Sequence, residues 1–409
     1  MKALCVLGRH NYGDAARGDG YEYVNFLPAL RRLGYEPVLF ESLDRSAYRD
    51  FAHQNRAFLE TLEREQPALV LSVLLGYEIW TETLDLARRH CAALFVNWGT
   101  DDSWKYEQFS RHVSPHFDAW GTTAASALER AARDGLRNFV QTQWAASQDL
   151  MAEPLPAVAC KYDVTFVGSA YGNRPRWVQQ LRSRGIEVRC FGHGWQGGAV
   201  AAHDIPRIYR ESVLTLNFGD SGTHFQGLRP FRSRQIKARV FEVPGAGGCL
   251  LTEAAEGLDR YFRPGSEVVL FSSPDELADR IRHYLSQPEE RDSIARAGHE
   301  RTRREHTYDR RFEDLLAAAS HLKRSRPRVL RNSAADACTS LEHACRRHAV
   351  GPVLRLMRWL LAAVPKLLWG PRRGPRAARR LIYELSWRLA GARTFSAAGL
   401  PGRLFYRES

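Results

Sequence analysis

Short continuous apolar runs alternate with amphipathic helical patterns twice along this chain, and that alternation constrains the fold more than any other feature. In the first pass KALCVLG, EPVLF, ALVLSVLL, AALFVNW and DAWGTT read as strands. EYVNFLPALRRLG, a long charged helix ending at Gln66, TETLDLARRH and SALERAARDG separate them. Buried strands without a polar face, each followed by a helix, predict a parallel sheet covered on both sides. Met151 to Pro156 holds two prolines and no periodicity, and reads as a linker. The pattern then restarts with DVTFVGS, IEVRCFG, VLTLNFG, CLLTE and EVVLF as strands, RWVQQLRSRG and IPRIYRES as helices, and further helices from Asp275 to His321. The predicted class is α/β, with doubly wound Rossmann-like domains at 1–155 and 156–320 facing a cleft. Nucleotides bind such sheets at the carboxyl ends of the strands.

Residues 321–409 differ in kind. The net charge of the 409-residue chain is +13, yet this segment alone has 19 Lys and Arg against 4 Asp and Glu. Residues 1–320 carry the remaining 40 basic and 42 acidic side chains, so all of the excess positive charge lies in the tail. At helical spacing, Val353, Leu354, Leu356, Met357, Leu360, Leu361, Val364, Leu367 and Leu368 share one side, with Arg355, Arg358 and Lys366 on the other and Trp359 and Trp369 at the flanks. A second basic helix follows at about Arg376 to Leu389. The composition predicts a basic amphipathic helical tail that lies on an anionic membrane surface; a helix packed on the globular body with a solvated basic face is the alternative. Pro365 interrupts the pattern. Basic residues grouped opposite a wide aliphatic stripe argue against nucleic acid as the partner.

Seven cysteines are scattered without a close pair of the metal or redox kind, which predicts a reduced, intracellular protein. MKALCVLG runs straight into Arg9 and His10, too short for a signal peptide, and no apolar run approaches the ~20 residues of a spanning helix. The expected location is cytoplasmic, peripheral on the inner face of the plasma membrane.

The most informative stretch is KARVFEVPGAGGCLLTE, Lys237 to Glu253. Glycines at 245, 247 and 248 permit close approach of a ligand or of another strand. A carboxylate such as Glu242 can accept both ribose hydroxyls, and a guanidinium such as Arg239 can neutralise a diphosphate bidentately. In order, DVTFVGSAYGNRPRWVQQL, FGHGW, LTLNFG, RVFEVPGAGGCLLTE and the block from Gly257 to Phe312 are similar to the nucleotide-binding half of the CgeB-like glycosyltransferases, relatives of the retaining family 4 transferases. The resemblance covers about residues 160 to 320, and extends more loosely to VNWGTDDSW and FDAWGTTAA in the first domain.

The resemblance implies a GT-B fold and a nucleotide-sugar donor. It places Glu242 on the donor ribose and Arg239 near phosphate. Gly168 and Ser169 fall in the turn beside the diphosphate, with Arg174 close behind, and Asn217 ends the strand before a basic loop; Gly245 belongs to the same donor set. His193 falls in a glycine turn with a structural role as its alternative. Many family 4 enzymes carry two glutamates eight positions apart, whereas Arg234 stands eight positions before Glu242 here. Arg229, Arg232, Arg234 and Lys237 form a local basic set beside the site, with a solvated helix face as the alternative for at least two of them. In GT-B enzymes the diphosphate charge is usually met by basic side chains and a helix N-terminus, so the resemblance implies that no cofactor and no metal are required.

The first domain is expected to supply the acceptor side. Asp101 and Asp102 end the strand AALFVNW, and a carboxylate there could deprotonate an acceptor hydroxyl if its pKa is raised. One of the two is expected to cap the following helix and the other to act, with Asp102 preferred as the base. Glu22, after the glycine-rich turn Gly13 to Gly20, is the second candidate. The leading reading is transfer of a sugar from a nucleotide donor to a glycan or lipid-linked acceptor at the membrane, in cell-surface polysaccharide or glycoconjugate biosynthesis. A nucleotide-sugar epimerase on the same scaffold, and a non-catalytic nucleotide- or sugar-binding protein with a nucleic-acid-binding tail, are the alternatives.

Overall fold

The first alternation folds into a six-stranded, all-parallel sheet of order β2-β1-β3-β4-β5-β6. Its strands are β1 Lys2–Leu7, β2 Glu36–Glu41, β3 Leu69–Ser72, β4 Leu94–Gly99, β5 Ala119–Thr122 and β6 Phe139–Gln141. In this computed structural model residues 1–226, 229–326 and 334–409 are described. β3, β4 and β5 are buried at every position, as the lack of a polar face in their sequences requires. The intervening helices are Tyr21–Arg32, Phe51–Glu65, Thr81–His90 and Ala125–Arg133. β6 was not foreseen, because three residues are too few for a periodicity.

The second alternation forms a five-stranded parallel sheet of order β13-β12-β9-β7-β8. These strands are β7 Tyr162–Val167, β8 Arg189–Phe191, β9 Ser212–Asn217, β12 Leu250–Glu253 and β13 Val269–Phe271. Between β9 and β12 the basic loop is an antiparallel hairpin, β10 Asp220–Gln226 with β11 Arg229–Arg234. The helices on this sheet include Arg174–Arg182, Ile205–Arg210, Arg239–Gly245, Pro274–Ser286 and Pro288–Glu305.

The chain divides into Met1–Thr142 with Asp314–Ser409, and Gln143–Glu313. The first change of unit thus precedes the expected linker at 151–156, and the tail is not a third domain. The reason is burial: Phe395, Ala397 and Tyr406 complete the core of the first unit, Tyr406 meeting Phe51 edge-on with ring centroids 4.8 Å apart. His348 packs 4.8 Å from the Trp80 ring, and Arg56 pairs with Glu342 at 2.7 Å. The tail carries helices at Ala334–His348 and Pro352–Ala390; residues 327–333 of the expected segment lie outside the described residues.

Pro352–Ala390 is not one rod. The break falls at Gly370 (φ 78°), while the helix passes through Pro365. After the break the chain doubles back, so that a Cβ on Gly374 would stand 2.5 Å from Lys366 Cα. Leu354, Met357 and Leu361 pack inward with Leu404 and Phe405. Val353, Leu356, Trp359, Leu360, Val364, Leu367 and Leu368 stay more than half exposed. The single apolar side expected from the sequence is therefore divided between an inner seam and an outer face. Among the described residues no helix is long and apolar enough to cross a membrane.

Candidate functional site

In the second unit, β7 ends in a turn at Gly168 and Ser169. Gly168 holds φ at +151°, and its carbonyl accepts the Trp195 indole N–H at 2.7 Å. A Cβ at this position would stand 2.9 Å from Arg239 Nη2 and 3.1 Å from the Phe166 ring. The missing side chain is what lets the Arg239 guanidinium lie on the turn. Arg239 Nη1 donates to Asn217 Oδ1 at 2.6 Å, and Asn217 Nδ2 donates to Thr252 Oγ1 at 2.9 Å. Gly168→Ala is therefore expected to displace Arg239 and lower nucleotide affinity by about tenfold, the order of one charge-assisted hydrogen bond. Isothermal titration would check it; undiminished affinity would show that the close approach has no bearing on the site.

Arg174 faces the same turn. It is only 2% exposed, donates from Nη1 to the Ser169 carbonyl at 2.9 Å and from Nη2 to the Tyr171 hydroxyl at 3.0 Å, and lies 3.9 Å over the Tyr171 ring. Its Nε makes no hydrogen bond among the described residues. The Arg174 and Arg239 guanidiniums both approach the Phe166 ring, at 5.4 and 5.2 Å. Burial, and then the like charge of Arg239, lower the Arg174 pKa to about 10, with Tyr171, Asp220 and Glu253 acting in the opposite sense. Two cations held this close, one of them desolvated, form a place where an anion is strongly favoured.

Glu242 lies in the first turn of the helix Arg239–Gly245 and is half-buried. Burial pushes the Tyr209 hydroxyl far up, followed by the negative charge of Glu242, while Arg239 counteracts. Glu242, Arg239 and Tyr209 therefore share one locality. Gly245 does not join them. It is buried, a Cβ there would come 2.6 Å from Ala146 Cβ, and its carbonyl faces His299 Nδ1 at 3.1 Å. Its small size serves helix packing rather than a ligand, which corrects the donor role expected for it. Gly247, at φ +82°, is likewise hemmed in by Ala152 and Pro154. The His193 side chain is exposed, with its carbonyl holding Ala170 N–H at 2.8 Å.

In the first unit, Asp102 is buried. Its carboxylate accepts the Ser110 hydroxyl and the Trp120 indole N–H, the latter at 2.9 Å. Burial raises its pKa, while those bonds lower it. A carboxylate enclosed in this way ties β5 to the loop after β4 and cannot reach an acceptor, so the preference for Asp102 as base is corrected. Asp101 precedes the helix Asp102–Lys105 and caps it through its carbonyl, which accepts from Lys105 N at 2.9 Å. Its half-exposed side chain accepts the Trp104 indole N–H at 3.2 Å and lies 3.6 Å from Lys105 Nζ. Glu22, in the first turn of Tyr21–Arg32, has its pKa raised by burial first and further by Asp101. These two carboxylates are thus neighbours, one after β1 and one after β4.

Residues 174–317 match the family model described as glycosyl transferase-like. The matched residues lie almost entirely in the second unit. Among solved structures the chain is similar to a sucrose-phosphate synthase from Thermosynechococcus elongatus, 11% identical with a TM-score of 0.51, over 80% of this chain and 99% of that one. It is also similar to a glycosyltransferase from Rickettsia africae, 10% identical with a TM-score of 0.54, over 78% of this chain and 98% of that one. At such identities the likeness is one of fold, and the fold is GT-B. No curated protein matches the chain.

Three residues of the second unit escaped the sequence reading. Tyr171 supports the Arg174 guanidinium, while Asp220 and Glu253 are buried carboxylates just after β9 and at the end of β12. Glu253 Oε2 accepts Gly219 N–H at 2.9 Å and Asp220 N–H at 3.2 Å, and its Oε1 pairs with Arg234 Nε at 3.0 Å. An acid at the carboxyl end of a buried strand was the available signal in both cases.

Proposed function

We propose that this protein transfers a sugar from a nucleotide-sugar donor to a glycan or lipid-linked acceptor at the cytoplasmic face of the plasma membrane, in the building of cell-surface polysaccharide or glycoconjugate. The observation that carries the reading is the pair Arg174 and Arg239, converging on the Gly168 turn at the carboxyl end of a parallel sheet. A diphosphate leaving group develops negative charge as its bond to the anomeric carbon breaks, and fixed guanidiniums in a partly desolvated site stabilise that charge. No metal is called for in this reading. Glu242 accepts the ribose hydroxyls.

On the acceptor side, Glu22 is the group suited to take the proton of the attacking hydroxyl, its pKa raised first by burial and then by the like charge of Asp101. The new bond joins the acceptor oxygen to the anomeric carbon, the donor carbon–oxygen bond breaks, and the nucleoside diphosphate departs. The membrane location is supported by the outer apolar face of the helical hairpin and the basic residues around it.

Thermal unfolding of the full-length protein with a panel of uridine, guanosine, adenosine and thymidine diphosphate sugars tests this. One series is expected to raise the melting temperature saturably, by the mass action of a ligand that binds only the folded state. A panel with no shift would remove the donor, and with it the proposed reaction.

A further inference from the structure

We infer that the transferred sugar carries an anionic group of its own, a carboxylate as in a uronic acid, and that Arg232 and Arg234 of β11 receive it. The inference rests on the nucleotide-sugar reading and adds the class of sugar to it.

Asp220, the first residue of β10, and Glu253, at the end of β12, are each less than 5% exposed, and guanidiniums approach them from two directions. From β11, Arg234 Nε reaches Glu253 Oε1 at 3.0 Å and Arg232 Nη1 lies 3.8 Å from Asp220 Oδ2. From the Gly168 turn, Arg174 feels the charge of both acids. Arg232 and Arg234 are two apart on one strand and share a face of the hairpin. The hairpin arginines and the proposed diphosphate arginines therefore belong to one cluster.

Neither acid exhausts its arginine. Glu253 spends Oε2 on the backbone N–H groups of Gly219 and Asp220, leaving one oxygen for Arg234. Both hairpin guanidiniums are about half exposed. Arg232 also donates from Nε to Thr223 Oγ1 at 3.4 Å, while Arg234 engages Glu253 through Nε alone among the described residues, so its two terminal nitrogens remain as the donors to take a carboxylate, with Arg232 beside them. A neutral sugar would cover those edges without pairing them, which is a desolvation cost.

Three buried polar atoms at the same place lack a hydrogen bond among the described residues: Asp220 Oδ2, Asn173 Oδ1 and Arg174 Nε. A Cβ on Gly172 would stand 3.4 Å from Asp220 Oδ2, which places the Gly172 to Arg174 segment beside that acid. Buried acceptors and a donor without a hydrogen bond, Asp220 Oδ2 having only the longer ion pair with Arg232, point to a ligand with hydroxyls as well as charge.

Equilibrium binding to the full-length protein tests the inference with six probes: UDP, UDP-glucose and UDP-glucuronate, and GDP, GDP-mannose and GDP-mannuronate. In the series whose free diphosphate binds, the acidic sugar nucleotide is expected to bind about tenfold tighter than its neutral counterpart. Arg234→Gln should bring the two within about twofold while leaving the free diphosphate unchanged. Because that change releases Glu253 Oε1, Arg232→Gln serves as the second variant, with the melting temperature of each measured alongside. Equal binding of acidic and neutral donors to the unaltered protein would overturn the inference and leave the donor reading standing. Equal loss for the free diphosphate in both variants would also overturn it, since the arginines would then be phosphate ligands. If neither diphosphate binds, this inference falls together with the donor reading.

Discussion

Replacing Glu242 or Arg239 by alanine is expected to weaken nucleoside diphosphate binding by ten- to a hundredfold, the equivalent of roughly 1.5 to 3 kcal/mol for hydrogen bonds to a charged group. The two losses have different causes. Glu242→Ala removes an acceptor oriented by the first turn of a short buried helix, and its effect should vanish for inorganic diphosphate, which has no ribose. Arg239→Ala removes a cation, leaves Asn217 Oδ1 without its donor and uncovers Gly168, so it should weaken inorganic diphosphate and nucleotide alike. Calorimetric titration of both ligands separates the roles. If neither variant weakens binding, the site lies elsewhere.

The second large effect concerns the helical hairpin. Changing Leu360, Val364 and Leu367 together to glutamate is expected to reduce binding to anionic vesicles by at least about a hundredfold. Each exposed aliphatic chain would forfeit on the order of 1 kcal/mol of burial, and each new carboxylate adds roughly as much repulsion near anionic lipid. Sedimentation with phosphatidylcholine vesicles, with and without phosphatidylglycerol, measures it, and an unchanged bound fraction would end the membrane reading. The three side chains are more than half exposed, so the fold should be preserved. Deleting residues 321–409 would be a poor substitute, because Phe395, Ala397 and Tyr406 would go with them and the first unit would lose part of its core. In the proposed membrane reading, lipid rather than a second copy of the chain covers this face. From residue 352 to 383 the sequence has eight basic side chains and no acidic one, so two such faces would repel.

Much of the architecture was legible because buried parallel strands leave an unmistakable record. β3, β4 and β9 are mostly apolar and buried at every position, and their helices carry a wet and a dry face. What escaped depends on contacts distant in sequence. The alternation in Arg229 to Arg234 is masked by arginines whose acids, Asp220 and Glu253, come from other elements. Asp102 and Asp101 are adjacent in the chain, yet only the folded neighbours Ser110 and Trp120 reveal that one is enclosed. Gly245 was grouped with its neighbours by motif, whereas its partner Ala146 lies about a hundred residues away. Charge misdirected the reading of the tail: a strongly basic segment suggested a separate surface element, while the few apolar residues at its far end decided where it docks.

The closing residues of the first unit have a consequence for synthesis. The parallel sheet of that unit precedes the second unit in the chain, whereas Phe395, Ala397 and Tyr406 follow it. The second unit is contiguous and can fold while translation continues. The first is discontinuous, with its strands before the second unit and part of its core after it, so it is the later of the two to be completed. A ribosome that stops before residue 395 leaves a contiguous second unit attached to a first unit that lacks part of its core.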